Sequence, residues 1–481
     1  MEEKNSFEKI RTRFAPSPAG ELHIGVARAA LFPYLLARST GGNFLVRIED
    51  TDQNRLVKDS ELRMLELIKW LGMKWDEEPI YQSSRLSLYK DYAHDLIEKG
   101  HAYFCFCSEE RLEKLRKEQE KQGKPTGYDR KCRNLNAEEV LEKIKNNEPH
   151  VIRMKVPESG GVSFADLIRG RIEFDCKVID DQLLLKSDGF PTYHLAAIID
   201  DHDQGVTHVL RGEEWLSSTP KHLLLYQFFG WQAPMFGHMP VIIGKDKKKL
   251  SKREGAVSVN EFKEKGYLPE VLVNFIALLG WNPGTEKEFF TLQELEKEFD
   301  INKVNKAPAF FDIEKLNYFN AHYIRGLGDD KLLKLIIPFS HTKLENYEEE
   351  KIKNIIKIVK NRMITLKDFD NLASYFFKSP VYKKELLKFS KSLWTDTKKG
   401  LAKAQEALKN ALDSAWKSEG ILNDTLVKVV ADNNLKNGDV FWPVRAALSG
   451  KEASPSPVEL LWVLGREESL KRLKNALSKL K

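Results

Sequence analysis

Four cysteines (Cys105, Cys107, Cys132 and Cys176) are too few to staple a chain of 481 residues with disulfides, which leaves metal binding or burial as their uses. No apolar run approaches the ~20 residues needed to span a bilayer, and Met1-Glu-Glu-Lys-Asn-Ser lacks the apolar stretch of a signal peptide. These absences predict a protein with no membrane partner and a cytoplasmic location. Neither sign of charge dominates: 77 basic residues against 71 acidic give +6. That excess is too mild to argue for nucleic acid, although it leaves room for a local basic face. There is no internal repeat and no low-complexity linker. There is also no G-x-x-x-x-G-K-[ST], so any triphosphate must be held without a P-loop.

What remains is ordinary globular composition, 42% hydrophobic and 31% charged, in a chain too long for one core; two to four domains are expected. Ile10–Ala15 and Asn43–Ile48 read as strands, Ile24–Arg38 and Ser60–Trp70 as helices. This β-α-β order argues for a parallel sheet covered by helices. Pro33 should bend the first helix, because it removes a bond to residue 29. From about Ala102 to Ile179 the pattern breaks into a charged helix (Glu109–Gln122) and strands near Val151–Val156 and Ile172–Val178, which reads as an insertion. Strand signals resume at Leu183–Lys186, Tyr193–Ile199, Thr207–Arg211 and Pro240–Ile243. After Leu268 the chain turns helical. Ser456-Pro457-Val-Glu459 supplies an N-cap, a first-turn proline and a capping-box glutamate, and Gly465 should stop that helix. Leu470, Leu473, Leu477 and Leu480 stripe one face of the last helix.

Two stretches carry chemistry. Arg13-Phe-Ala-Pro-Ser-Pro-Ala-Gly-Glu-Leu-His23-Ile-Gly25 runs from a strand end through a turn into a helix. It gathers backbone N–H groups, a helix N-terminus and an imidazole where an anion could sit. Gly25 would let a ligand approach the backbone where a Cβ would block it. Lys249-Leu-Ser-Lys252-Arg follows a strand, and its lysines could neutralise phosphate charge as mobile point charges. A lone His-x-Gly is usually just a turn and a lysine run usually a solvated loop; here each has a context that the bland reading does not explain. Arg13, Arg211 and Glu49 fall at three strand ends, where the crevice of a parallel sheet binds ligands. An arginine fork suits a carboxylate and a carboxylate suits an ammonium.

The pair of stretches resembles the His-Ile-Gly-His and Lys-Met-Ser-Lys-Ser signatures of class I aminoacyl-tRNA synthetases. The words Arg47-Ile-Glu-Asp-Thr-Asp, Leu185-Lys-Ser-Asp-Gly-Phe-Pro-Thr-Tyr193-His and Val209-Leu-Arg211-Gly-Glu-Glu-Trp look like the glutamyl branch. Val26 stands in place of the second signature histidine and Ala19 where the branch often has threonine. The resemblance covers residues 7–325 most specifically.

It implies an α/β fold: a Rossmann-like parallel-sheet catalytic domain with an inserted acceptor-binding domain, followed by an all-α C-terminal anticodon-binding region. The expected segments are 1–104 and 191–240 for the catalytic domain, 105–190 for the insertion, 241–325 for a lysine-loop and stem-contact domain, and 326–481 for the helical region, divided near 380. It implies ATP with Mg2+, L-glutamate and tRNA(Glu) as partners, with tRNA(Gln) an open second acceptor, and a monomer. Arg13, Ala15, Ser17, Glu49, Tyr193 and Arg211 would line the glutamate pocket. His23, Gly25, Glu214, Ile242, Lys249 and Lys252 would bind ATP, and His23, Lys249 and Lys252 would act on the transition state. No protein nucleophile is required, so catalysis would be positioning and charge stabilisation.

Cys105-x-Cys107 and Cys132 offer three soft ligands to a Zn2+ that wants four. Some members of the branch complete such a site with a histidine two residues after the last cysteine, where this chain has Asn134. Tyr128 is the candidate fourth ligand, as in a related glutamyl-queuosine-forming enzyme; three buried thiols are the alternative. Cys176 reads as core. In the helical third Trp442 and Arg445 stand out, but packing is the commoner role for such an aromatic, and no anticodon-reading residue is assigned. The helical third argues against the queuosine-forming relative and, with the pocket words, against a glutaminyl enzyme. A synthetase-like RNA-binding protein without activity should have lost His23 or the lysine loop. A cytidylyltransferase would leave the lysine loop and the helical tail unexplained.

Overall fold

The computed structural model describes residues 9–250 and 258–480. The chain divides into two units, Met1–Lys263 with Pro269–Asp312, and Glu264–Leu268 with Ile313–Lys481.

In the first unit the described elements run β1 (Arg11–Phe14), α1 (Ile24–Ser39), β2 (Asn43–Ile48), α2 (Ser60–Trp70), β3 (Ile80–Tyr81) and α3 (Leu86–Glu98). They continue with β4 (Ala102–Cys105), α4 (Glu109–Lys121), α5 (Ala137–Lys145), β5 (Val151–Met154), β6 (Gly161–Asp166), β7 (Gly170–Asp175) and β8 (Leu183–Leu185). Next come α6 (Tyr193–Asp203), β9 (His208–Gly212), α7 (Thr219–Phe229), β10 (Met235–Met239) and β11 (Ile242–Ile243). The last are α8 (Val259–Glu264), α9 (Pro269–Leu278), α10 (Leu292–Glu298) and β12 (Ala309–Phe310).

Five strands form a wholly parallel sheet in the order β10-β9-β1-β2-β3. Its strands read as continuous apolar runs because both faces are covered: Phe44, Leu45, Val46 and Ile48 of β2 and Val209 and Leu210 of β9 are all buried. The chain adds strands to one side of β1 first and to the other side later, so the switch point lies between β1 and β9. A crevice opens there at the carboxyl ends of the strands. α1 runs unbroken through Pro33, and Thr12 Oγ1 donates to the Pro33 carbonyl at 2.8 Å.

Between β3 and β9 the chain leaves this sheet. It builds an antiparallel sheet, β4-β5-β8, and a two-stranded hairpin, β6-β7. Asn136 and Glu139 form a reciprocal capping box at the start of α5.

Several expectations need correction. Tyr193–Ile199 is not a strand but the first two turns of α6. Leu195 through Asp201 are all buried, so no polar face exposes the 3.6-residue period and the β-branched run mimics a core strand. The expected strand Ile172–Val178 ends at Asp175, and Cys176–Val178 form a single 3-10 turn, with Cys176 buried as core. The expected strand Pro240–Ile243 shortens to β11, which pairs with β12 apart from the parallel sheet; the strand that completes that sheet is β10, just before it. The chain after Leu268 is therefore not purely helical, because β12 follows α10.

The second unit is helical, with no strand among its described residues. Its helices include Trp394–Asn410, Glu419–Asp432, Asn437–Ser449 and Pro457–Lys479. Ser456 and Glu459 form the expected capping box, and Gly465 takes φ 74° inside the last segment, breaking its helical geometry. Leu473 is fully buried on the striped face. Trp442 packs against Phe389 and donates Nε1–H to the Leu386 carbonyl at 2.8 Å, while the Arg445 guanidinium lies 4.5 Å from its ring.

Candidate active site

A cavity of about 610 Å³ opens at the switch point of the parallel sheet. Its floor is the end of β1 and the turn after it (Arg13, Ala15, Ser17). One wall is the start of α1 (His23, Gly25), and the others bring Glu49, Tyr193, Arg211, Glu214, Ile242 and Lys249. Every sequence-expected residue of the two substrate sites faces this one space except Lys252, which lies outside the described residues.

One end of the cavity is built on the first turn of α1. His23 is its N-cap but makes no side-chain capping bond, and His23 Nδ1 is buried without a hydrogen-bond partner. A Cβ built on Gly25 would meet no protein atom within 4 Å, so the space beside this turn is left open. The His23 ring at the cavity wall, the first-turn N–H groups and this open volume together suit an anion. Lys249 reaches the same space, with Nζ 3.6 Å from Glu214 Oε1; both side chains are largely exposed, so this pair is easily exchanged for a ligand. The Leu250 N–H donates to the Ile242 carbonyl, tying the lysine segment to β11.

One positioning group was not expected. Arg28, one turn into α1 and buried, donates from Nη1 to the Leu279 carbonyl at 2.9 Å and from Nη2 to the Pro240 carbonyl. Burial lowers its pKa to about 10.

The other end of the cavity adjoins a buried charge network. Arg13 Nε donates to Asp201 Oδ1 at 3.0 Å, Arg47 Nη1 donates to the same oxygen at 2.7 Å, and Arg47 Nη2 reaches Glu49 Oε1 at 3.0 Å. Asp200 takes Arg85, Tyr89 and Gln82. Burial works against the Asp201 carboxylate, yet Arg13 and Arg47 hold its pKa below the usual range. Burial raises that of Glu49 against the opposing pull of Arg47 and Arg13. Asp200 and Asp201 were invisible as site residues while their segment read as a strand. The signal was there: two adjacent carboxylates ending an apolar run must find cations.

Arg211 is held differently. Its Nε donates to His238 Nε2 at 3.0 Å, Nη1 to the Tyr193 hydroxyl at 3.0 Å and His222 Nδ1 at 3.2 Å, and Nη2 to Thr219 Oγ1 at 2.9 Å and the Trp215 carbonyl at 3.3 Å. Burial depresses the pKa of both histidines.

Apart from this cavity, Cys105, Cys107 and Cys132 bring their sulfur atoms within 4.8 Å of one another. The Tyr128 hydroxyl lies 3.2 Å from Cys105 Sγ and 3.5 Å from Cys107 Sγ. Hydrogen bonding with Cys132, and then with Tyr128, lowers the Cys105 pKa. Arg111 Nη1 lies 3.4 Å from Cys107 Sγ. Three convergent thiols with a cation beside them are a donor set that zinc accepts.

Residues 9–318 match the family described as tRNA synthetases class I (E and Q), catalytic domain, and residues 331–477 match the anticodon binding domain. The parallel sheet with its His-x-Gly turn and the helical unit are thus those of a class I aminoacyl-tRNA synthetase. The chain is 42% identical over 476 residues to glutamate–tRNA ligase 2 of Thermoanaerobacter pseudethanolicus, covering 98% of both chains. It is 41% identical to the glutamate–tRNA ligase of Clostridioides difficile, covering 96% of this chain and 98% of that one. A crystal structure of a glutamate tRNA ligase from Elizabethkingia meningosepticum in complex with its amino acid superposes with TM-score 0.90. It shares 36% identity and is covered in full, over 98% of this chain. The chain belongs to the glutamate–tRNA ligase family. Membership of the class implies use of ATP and binding of tRNA. Among the described residues no helix is long and apolar enough to cross a membrane.

Proposed function

We propose that this chain activates L-glutamate with ATP and transfers it to the terminal adenosine of tRNA(Glu). The observation that carries the reading is the single cavity at the switch point. There the His23 imidazole and Lys249 share one space with Arg13, Glu49, Tyr193 and Arg211. The α-carboxylate of glutamate attacks the α-phosphorus of ATP and pyrophosphate leaves; a hydroxyl of the tRNA then takes the acyl group from the glutamyl-adenylate, and AMP leaves. His23 donates to phosphate oxygens as charge redistributes, and Lys249 and Lys252 neutralise the departing pyrophosphate. Mg2+ supplies further neutralisation when bound. Glu49 takes the ammonium, Ala15 and Ser17 border the amino acid, and the guanidinium end takes the side-chain carboxylate. Gly25, Glu214 and Ile242 border the nucleotide.

In the same reading residues 105–190 and 241–325 meet the acceptor arm, 326–481 meets the anticodon, and the enzyme is a cytoplasmic monomer. Cys105, Cys107 and Cys132, with Tyr128, hold a structural zinc. Labelled glutamate offered with separate tRNA(Glu) and tRNA(Gln) transcripts is the test. Charging of neither would end the proposal, and charging of both would define an enzyme that also loads tRNA(Gln).

A further inference from the structure

Arg211 and Arg13 face the same cavity, but their charges are balanced in opposite ways. Arg13 sits directly on a carboxylate, Asp201. Among the described residues Arg211 touches none; its guanidinium meets neutral acceptors, namely His238, Tyr193, His222, Thr219 and the Trp215 carbonyl. The nearest anion in that network stands one residue further back. His238 Nδ1 lies 2.5 Å from Asp166 Oδ2, and the His238 backbone N–H donates to Asp166 Oδ1 at 3.2 Å. Both side chains are completely buried.

The protons can be assigned from the donors. Arginine only donates, so His238 Nε2 must accept from Arg211, and His238 Nδ1 therefore carries the proton and gives its hydrogen bond to Asp166. By the same logic His222 Nδ1 accepts from Arg211, and its Nε2–H points at His194 Nδ1, 3.0 Å away. Arg211 is thus gripped by two neutral imidazoles of fixed tautomer. The Tyr193 oxygen accepts from Arg211 Nη1, which leaves its own proton free for the cavity.

A carboxylate placed directly on Arg211 would fix it as firmly. It would also cancel the positive field that an acidic substrate needs. A neutral imidazole between cation and anion fixes the guanidinium while leaving its charge open toward the cavity. Asp166 ends β6, in the hairpin of the inserted segment, whereas His238 lies on β10 of the parallel sheet. The Leu167 N–H donates to the Phe236 carbonyl beside them, which fixes the hairpin against the sheet.

We propose that Asp166 and His238 are positioning residues for the amino-acid site: through His238, the inserted hairpin sets the orientation of Arg211 and of the Tyr193 hydroxyl, and so the affinity for the substrate's side-chain carboxylate. This rests on the reading of the cavity as a glutamate site and adds to it two residues that never touch substrate. His238→Leu keeps volume and loses both hydrogen bonds. His238→Gln can still accept from Arg211 through its carbonyl and donate to Asp166 through its amide. Asp166→Asn removes the buried charge with little change of shape.

The test is steady-state charging of tRNA(Glu) by the full chain, varying glutamate and ATP separately, with thermal midpoints alongside. His238→Leu and Asp166→Asn should raise KM for glutamate about tenfold or more, with KM for ATP within about twofold, and His238→Gln should restore most of the loss. Equal rises in both KM values, no rise in either, or identical behaviour of the Leu and Gln variants would overturn the inference. Should His238→Leu fail to fold, the contrast of Asp166→Asn with His238→Gln decides by the same criterion. Wild-type protein that uses no glutamate would overturn the functional reading and this inference together. Wild-type charging without the selective KM effect overturns the inference alone.

Discussion

Arg13 on β1 and Asp201 on α6 are 188 residues apart in sequence, and Arg13 Nε donates to Asp201 Oδ1 at 3.0 Å with both side chains almost wholly buried. Asp201→Ala would strand Arg13, and Arg47 with it, as buried cations short of a carboxylate. Removing one partner of such a network costs roughly 3–5 kcal/mol, far more than a surface pair. Urea unfolding of Asp201→Ala should show that loss; a change under about 1 kcal/mol would mean the network is wetter than its burial indicates.

Acid should weaken the fold through its buried histidines. Burial lowers the pKa of His194 to about 3 and of His208 to about 4, and holds those of His222 and His238 below the ordinary value. Each is neutral in the fold and takes a proton on unfolding below about pH 6.5, so the unfolded state binds more protons. Their contribution is complete above that pH and is lost as pH falls, at about 1.4 kcal/mol per pH unit for each of His194 and His208. Urea midpoints should therefore drop steeply between about pH 6.5 and 5, and a flat profile there would contradict neutral buried imidazoles.

Arg211→Ala should abolish glutamate charging while ATP still binds, because the nucleotide end of the cavity does not rely on it. Lys249→Ala should lower kcat by roughly 10- to 100-fold and leave KM for glutamate near wild type, as expected of a group that acts on the transition state. Equilibrium binding of a fluorescent ATP analogue together with charging kinetics separates the two. Near-normal charging by Arg211→Ala would show that the acid is held elsewhere.

Two glycines of the helical unit should respond with opposite sign. A Cβ on Gly400 would lie 2.1 Å from the Asp439 carbonyl oxygen, where two helices touch backbone to backbone. On Gly420, in a helix, the nearest atom is Ser418 Oγ at 3.7 Å. Gly400→Ala should cost about 1–3 kcal/mol by forcing the helices apart. Gly420→Ala should gain about 0.4–1 kcal/mol by restricting the unfolded chain. Calorimetry of the two variants reads both signs.

Purified protein should carry stoichiometric zinc, lost on Cys132→Ser. Metal analysis that finds none in either protein would leave the cluster as three reduced thiols.

Much of the site could be read along the chain because its elements announce themselves locally. A proline-broken strand end before His-x-Gly, a lysine pair split by a serine, and single charges at the ends of apolar strands each imply a location. The acidic half could not be read that way. Asp200 and Asp201 end a segment buried on every side, so its helix carries no periodic signature. The partners of Arg211 are harder still. Asp166 lies in a hairpin, His222 in α7 and His238 on an edge strand, and no spacing in sequence hints that they converge on one guanidinium. Local rules find groups that face a ligand; the groups that hold those groups are found only once the chain is folded.

The neighbours at the centre of the sheet meet late. The Arg11 N–H donates to Thr207 Oγ1 across 196 residues, and β9 and β10 complete the sheet only beyond that point. A nascent chain leaving the ribosome therefore carries β1 with an open edge until residue 212 has emerged, and α1 without the cover of α9 and α10 until residue 298 has. Such long-range closure is slow and leaves sticky edges waiting. During synthesis this half of the protein waits on long-range contacts, whereas the antiparallel insertion can close from contacts made within itself.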